Sequence, residues 1–266
     1  MSRQIDPRDE KVTIQCWWDC HHEGKGDYEQ WLTGSAGPEV WRNLNIDKLI
    51  KPNKVVLKIG VGLGYCTREL ARRKCVVHAL DISPVALRRV EPFTAKTWLP
   101  SSLPDIPENL FDLAISHLVT QHMADKDLVE QISGVLKSLK PSGIFAMQFA
   151  FAYNRSQNDL TSPSAELIKT GGVGRSLGGM ARLVDQAGGL IVWASRFSMF
   201  PDQGAGWYAI HIVRPDHPLP NLVRQERLTI LSRVEAARAR WINRLAAILN
   251  IHEPHNQEHP AKPETE

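Results

Sequence analysis

The chain has 266 residues, 42% hydrophobic and 23% charged, which is too apolar for a disordered chain and suits one domain with appendages. A net charge of only +3 argues against a dedicated nucleic-acid binder. No apolar run reaches the roughly 18 residues of a membrane span, the first residues lack the apolar core of a signal peptide, and Cys16, Cys20, Cys66 and Cys75 are too scattered for a disulfide framework, so a reduced, cytoplasmic protein is expected.

Residues 1–50 are interrupted by Pro7, Gly24, Gly26, Gly34, Gly37 and Pro38 and are expected to form an N-terminal helical segment. Within it, Cys16-x-x-x-Cys20-His21-His22 invites a zinc reading. The spacing is not that of a finger pair and no second ligand pair follows, so no metal site is expected. From Lys54 the pattern becomes alternating. A strand is predicted over 55–59, a helix over 67–73, a strand over 75–80 and a helix opened by Ser83-Pro84. A short strand is predicted over 93–97 and a stronger one over 111–116. A helix follows over 127–139, with Leu128, Ile132, Val135, Leu136 and Leu139 on one face. Lys140-Pro141-Ser142-Gly143 reads as a turn before a strand over 144–149. A helix over 176–187 and strands over 190–194 and 208–213 complete the set. Residues 216–251 read as a long basic amphipathic helix, with Ile230, Leu231, Val234, Ala237, Trp241, Leu245 and Ile248 on one face. That stripe is expected to dock on its own domain or on a second subunit, making a homo-oligomer through the helix. The polar, proline-rich tail 252–266 is expected to be disordered.

Strands alternating with helices imply parallel strands joined by right-handed crossovers. The fold class is α/β: a doubly wound, seven-stranded, mostly parallel sheet over residues 51–215. The last two strands have no helix between them and suit a hairpin, which makes one of them antiparallel.

The chemistry-bearing segment is Val55-Val56-Leu57-Lys58-Ile59-Gly60-Val61-Gly62-Leu63-Gly64-Tyr65. Glycines between a strand and a helix let the backbone turn sharply and approach a ligand closely. The dinucleotide fingerprint would need glycine at Tyr65. The spacing found favours a cofactor that lies across the loop without a pyrophosphate, and S-adenosylmethionine is one. Asp81 ends the second strand, about 20 residues downstream, where an acid meets ribose hydroxyls; the plainer alternative is a cap for the helix opened by Pro84. Gly171-Gly172-Val173-Gly174 lacks the G-K-[ST] ending of a phosphate loop and reads as a flexible acceptor-site loop.

The glycine segment, Leu80-Asp81-Ile82-Ser83-Pro84, Phe111-Asp112-Leu113-Ala114-Ile115-Ser116, Gln121-His122-Met123-Ala124-Asp125 and Leu139-Lys140-Pro141-Ser142-Gly143 occur in this order. Together, over roughly residues 45–215, the sequence resembles the class I S-adenosylmethionine-dependent methyltransferases. The resemblance implies a Rossmann-like methyltransferase fold with the N-terminal segment as a lid, Tyr28 and Trp31 either covering the cofactor or packing the segment onto the sheet. It implies that Gly60, Gly62 and Gly64 line the methionine part, Asp81 binds ribose, Ile82 packs on adenine and Trp98 and Leu99 edge it. Ser116 and His117 would face the sulfonium. Lys58 stands where the family usually has an acid; it would pair with the cofactor carboxylate or repel its ammonium and sulfonium. The implied reaction is in-line displacement on the methyl carbon, with His122 and His117 as candidate bases for a hydroxyl acceptor. The expected acceptor is a small molecule or a glycan intermediate. Nucleic acid is not expected, because Ser116-His117-Leu118-Val119 replaces the Asn/Asp-Pro-Pro-aromatic motif. The alternative, motivated by Lys58, is a non-catalytic protein of the same fold that binds S-adenosylmethionine or S-adenosylhomocysteine, or acts as a scaffold.

Overall fold

Short runs, most of them β-branched or aromatic, pair into one sheet: β1 (Val55–Ile59), β2 (Val76–Leu80), β3 (Lys96–Trp98), β4 (Phe111–Ser116), β5 (Leu139–Ala150), β6 (Leu190–Phe197) and β7 (Trp207–Val213). The computed structural model describes residues 7–23, 37–151, 172–197 and 206–218. The strands lie in the order β3-β2-β1-β4-β5-β7-β6. β1 to β5 run parallel, and β7 is antiparallel to both β5 and β6, as a helix-free connection between the last two strands requires.

The helices are α1 (Pro7–Glu23), α2 (Pro38–Asn43), α3 (Tyr65–Arg72), α4 (Pro84–Val90), α5 (Asp125–Ser138) and α6 (Leu177–Gln186). Their starts are written in local chemistry. Pro84 occupies the first turn of α4 and the Ser83 hydroxyl accepts from the Ala86 N–H at 3.2 Å. Ser176 caps α6 in the same way through the Gly179 N–H, at 3.1 Å. Helices cover both faces of the sheet, so the central strands are apolar on both sides. On one face Leu57, Ile59, Leu80, Phe145 and Ile210 pack with Leu128 and Ile132 of α5 and Met180 and Val184 of α6. On the other, Val56, Val77, Ile115 and Ala209 pack with Trp41, Leu44 and Leu70. Ser116, Gln148 and His211 are buried polar residues of these strands, and Lys58 adds a basic one inside β1 with only 2% of its surface exposed.

Two sequence expectations need correction. The third strand lies at Lys96–Trp98 rather than over 93–97, because Glu91–Phe93 forms a 3-10 turn and leaves Phe93 exposed. Lys140-Pro141-Ser142-Gly143 does not separate helix from strand. β5 already pairs at Leu139 with Phe111 and resumes at Ile144 opposite Leu113, so the four residues bulge out of a continuous strand. Asp112 anchors that bulge, accepting from Lys140 Nζ at 2.9 Å, from Lys54 Nζ at 3.1 Å and from the Val55 N–H at 2.9 Å. Burial would raise the Asp112 pKa, but these donors outweigh it and hold it below the usual carboxylate range. The expected C-terminal helix and tail, and Tyr28 and Trp31, lie outside the described residues.

Candidate cofactor site

In an open α/β sheet, ligands bind beyond the carboxyl ends of the strands where the strand order reverses. Here that point lies between β1 and β4, whose last paired residues are Ile59 and Ser116. The glycine loop leaves β1 there, and His117 leaves β4.

Gly60, Gly62 and Gly64 all have positive φ, at 65°, 52° and 85°, which is why the loop uses glycine. Their surroundings differ. A Cβ on Gly60 would lie 2.2 Å from Val119 Cγ2, and one on Gly64 would lie 2.7 Å from Val90 Cγ1. Gly62 faces open space, with no atom of the described residues within 4 Å of such a Cβ. Asp81 braces the loop. Its Oδ2 accepts from the Val61 N–H at 2.7 Å and from the Gly62 N–H at 3.3 Å, and its Oδ1 accepts from the Ser83 N–H at 2.9 Å. A carboxylate has about four acceptor positions, so Oδ1 retains room for one further donor. The carboxylate therefore holds the loop and does not cap α4, a task that falls to Ser83.

Lys58 is the unusual member. Its ammonium donates to the Ile59 carbonyl at 2.7 Å and to the Gly60 carbonyl at 2.6 Å. Burial lowers its pKa, against the nearby Cys66 and Asp81.

Beyond β4 the backbone is strained. Leu118 has φ of 58°, a left-handed conformation that costs a branched residue about 1–2 kcal/mol. Its N–H donates to Gln148 Oε1 at 3.1 Å, and the Thr120 hydroxyl donates to the Gln148 carbonyl at 3.0 Å. Just past this kink, Val119 lies over Gly60. Ser116 Oγ, His117 Nε2 and Thr67 Oγ1 are buried without a hydrogen-bond partner among the described residues. Unpaired buried polar atoms are uncommon and call for an explanation such as a ligand.

Burial, aided by the Lys58 ammonium, pushes the His117 pKa down from 6.5 to about 3. The ring is neutral and a poor proton acceptor near neutrality. Because its folded pKa is depressed, His117 contributes stability that is complete above pH 6.5 and is lost as pH falls toward about 3. The expected result for His117→Gln is a shallower loss of urea stability on acidification, by up to about 1.4 kcal/mol per pH unit. Equilibrium unfolding between pH 6.5 and about 5, above the carboxylate range, measures it; an unchanged slope would place His117 in water.

α1 supplies residues that the sequence reading did not select. Asp19 accepts from the Ser83 hydroxyl at 2.5 Å and from the Val85 N–H at 3.5 Å, and the His22 carbonyl accepts from Arg89. The His22 ring is buried and stacks on Trp18 at 5.7 Å between centroids. Burial is the main cause of its lowered pKa, opposed first by the charge of Asp81. Trp18 also meets His122 edge to face at 4.9 Å. α1 thus reaches both the Asp81 side and the His122 side of the switch point. The usable signal was the helical spacing of Trp18, Asp19 and His22, which puts them on one face.

Of the remaining expected residues, Ile82 is half-buried beside Asp81, and Leu99 is half-buried against Val61, Ala79, Ala86, Leu87 and Val90. Trp98 is 7% exposed. Its ring is in the core with Leu57 and Leu80, its Nε1 donates to His78 Nδ1 at 3.4 Å, and the Lys96 ammonium lies 3.8 Å from its centroid. An aromatic at the end of a short strand buries its large apolar area first. Cys16 and Cys20 are exposed free thiols.

The segment 172–175 is held rather than loose. Val173 N–H donates to the Gln121 carbonyl at 3.2 Å and Arg175 N–H to the Ala150 carbonyl at 2.8 Å. The Arg175 guanidinium donates to Asp125 Oδ1 at 2.8 Å and to the carbonyls of Thr120 at 2.8 Å and Met123 at 2.7 Å. It thereby fixes the 3-10 turn Thr120–His122.

Comparison with known proteins places this geometry. Residues 56–143 match the family described as a methyltransferase domain. An uncharacterized methyltransferase of Synechocystis is 36% identical over 116 residues, 42% of this chain and 55% of that protein. The malonyl-[acyl-carrier protein] O-methyltransferase of Halorhodospira halophila is 32% identical over 123 residues, 42% of this chain and 39% of that protein. The chain thus spans about half of the first relative's length and less of the second's. Among solved structures, a S-adenosylmethionine-dependent methyltransferase from Leishmania major aligns with a TM-score of 0.55 at 14% identity, covering 80% of this chain and 87% of that one. The 1,6-didemethyltoxoflavin-N1-methyltransferase of Burkholderia thailandensis, solved with S-adenosylhomocysteine, aligns with a TM-score of 0.55 at 17% identity, covering 80% and 92%. At these identities the structures speak for the fold. Residues 56–143 thus match a methyltransferase domain, and the sheet around them has the fold of the S-adenosylmethionine-dependent methyltransferases.

Proposed function

We propose that the protein transfers a methyl group from S-adenosylmethionine to a small-molecule or glycan-intermediate acceptor. The observation that carries this reading is the opening at Gly62 beside the Asp81 carboxylate, at the switch point where β4 ends on the unpaired Ser116 hydroxyl and the His117 ring. Bound there, the cofactor supplies an electrophilic methyl carbon on a sulfonium leaving group. The chain's own residues do the rest. Asp81 Oδ1 accepts from a ribose hydroxyl, Ile82 and Leu99 border the adenine, and α1 with Trp18 and His22 excludes water from the crevice. Alignment and exclusion of water are the main contributions such a site makes. His122, held between the Arg175-fixed turn and Trp18, is better suited than His117 to take a proton from a hydroxyl acceptor, since burial keeps His117 weakly basic.

The test is calorimetric titration with S-adenosylhomocysteine. Wild type should bind, and Asp81→Ala should bind roughly ten- to a hundredfold more weakly through loss of a charged acceptor. Equal binding by the variant, or none by wild type, would overturn the reading. One observation favours a second reading, binding without transfer: the buried cation of Lys58 beside the loop. Under it, the protein would retain S-adenosylhomocysteine but methylate no acceptor, and Lys58→Glu would restore transfer.

A further inference from the structure

Lys58 has no carboxylate within ion-pair distance among the described residues, although 98% of its surface is buried, being 2% exposed. An unpaired buried cation is costly. An ammonium has three donors, and two of them are spent on the Ile59 and Gly60 carbonyls, at 2.7 and 2.6 Å. These carbonyls close β1 and open the glycine loop, along which the proposed site lays the amino-acid end of its cofactor. Each already accepts from a cation of the chain's own. The third donor and the uncompensated charge remain.

We propose that Lys58 reverses the charge preference of the amino-acid end of this site, so that the ligand is held there by its carboxylate and not by its ammonium. The inference rests on the proposed function and names the group that determines how the site grips its cofactor. An ammonium approaching the loop meets a like charge at carbonyls that already accept from Lys58. A carboxylate meets an unpaired cation with one free N–H and forms a charge-assisted hydrogen bond in a site of low dielectric. Asp81, whose charge lies near the Lys58 ammonium, accepts from the amides of Val61, Gly62 and Ser83, and its remaining Oδ1 position is the one the proposed function gives to ribose, so the carboxylate's place beside Lys58 stays open.

Three ligands decide the matter by calorimetry on the full chain: S-adenosylhomocysteine, its analogue lacking the carboxylate, and its analogue lacking the amino group. Wild type should bind the first analogue at least roughly tenfold more weakly than the parent and the second within about threefold of it. Lys58→Glu should invert the order. Lys58→Met keeps the length without the charge and should erase the difference, which leaves the test readable if a glutamate buried near Asp81 unfolds the chain. If the amino-less analogue loses as much as the carboxylate-less one in wild type, or if Lys58→Met leaves the order unchanged, the inference is overturned while the proposed function stands. If none of the three ligands binds, both fall.

Discussion

Arg175→Ala should lose about 3–5 kcal/mol of stability, the range for removing one partner of a buried, hydrogen-bonded charge pair. The Arg175 side chain is 5% exposed and serves three acceptors on one loop: Asp125 Oδ1, the Thr120 carbonyl and the Met123 carbonyl. Truncation leaves two carbonyls and a carboxylate without their donor. Burial lowers the Arg175 pKa and the charge and hydrogen bond of Asp125 oppose it. Arg175→Lys should recover little, because a point ammonium cannot reach three acceptors arranged for a planar fork. Thermal unfolding should show a fall on the order of 10 °C. A change below about 1 kcal/mol, the size of an exposed pair, would mean that the clamp is not formed. The same substitution releases the turn carrying His122, so the proposed methyl transfer should fall beyond what the lost stability explains.

Gly60→Ala is the second large effect, expected at about 2–4 kcal/mol from left-handed strain plus overpacking. The residue has φ of 65°, and its new Cβ would sit 2.2 Å from Val119 Cγ2. Val119→Ala in the same chain should return the packing share and leave the backbone share, which a double-mutant cycle in urea separates. Gly62→Ala is the contrasting control. It has positive φ, at 52°, but meets no atom, so its stability cost should be the backbone part alone, whereas its methyl enters the space assigned to the cofactor. Equal stability losses at 60 and 62 would show that Val119 does not cover Gly60.

Much of the frame was legible because it is written in local chemistry. β-Branched runs mark the strands, Ser83-Pro84 and Ser176 mark helix starts, and glycines mark the turn that leaves β1. Errors arose where a local signal had two outcomes. Lys140-Pro141-Ser142-Gly143 has turn composition, yet pairing with β4 on both sides carries the strand through it as a bulge.

Spacing alone carried the seven-stranded doubly wound plan, the antiparallel last strand, the loop at Gly60 to Gly64 and the acid at 81, since each depends on residues adjacent in the chain or on one periodic pattern. Tertiary structure decided which groups meet. Asp19 finds Ser83, Trp18 finds His122, Arg175 finds Asp125, and the strained Leu118 finds Gln148. It also decided that Lys58 turns its ammonium onto the carbonyls of its own loop. A buried polar group takes whatever partner the packed core leaves within about 3 Å, and sequence distance does not encode that partner.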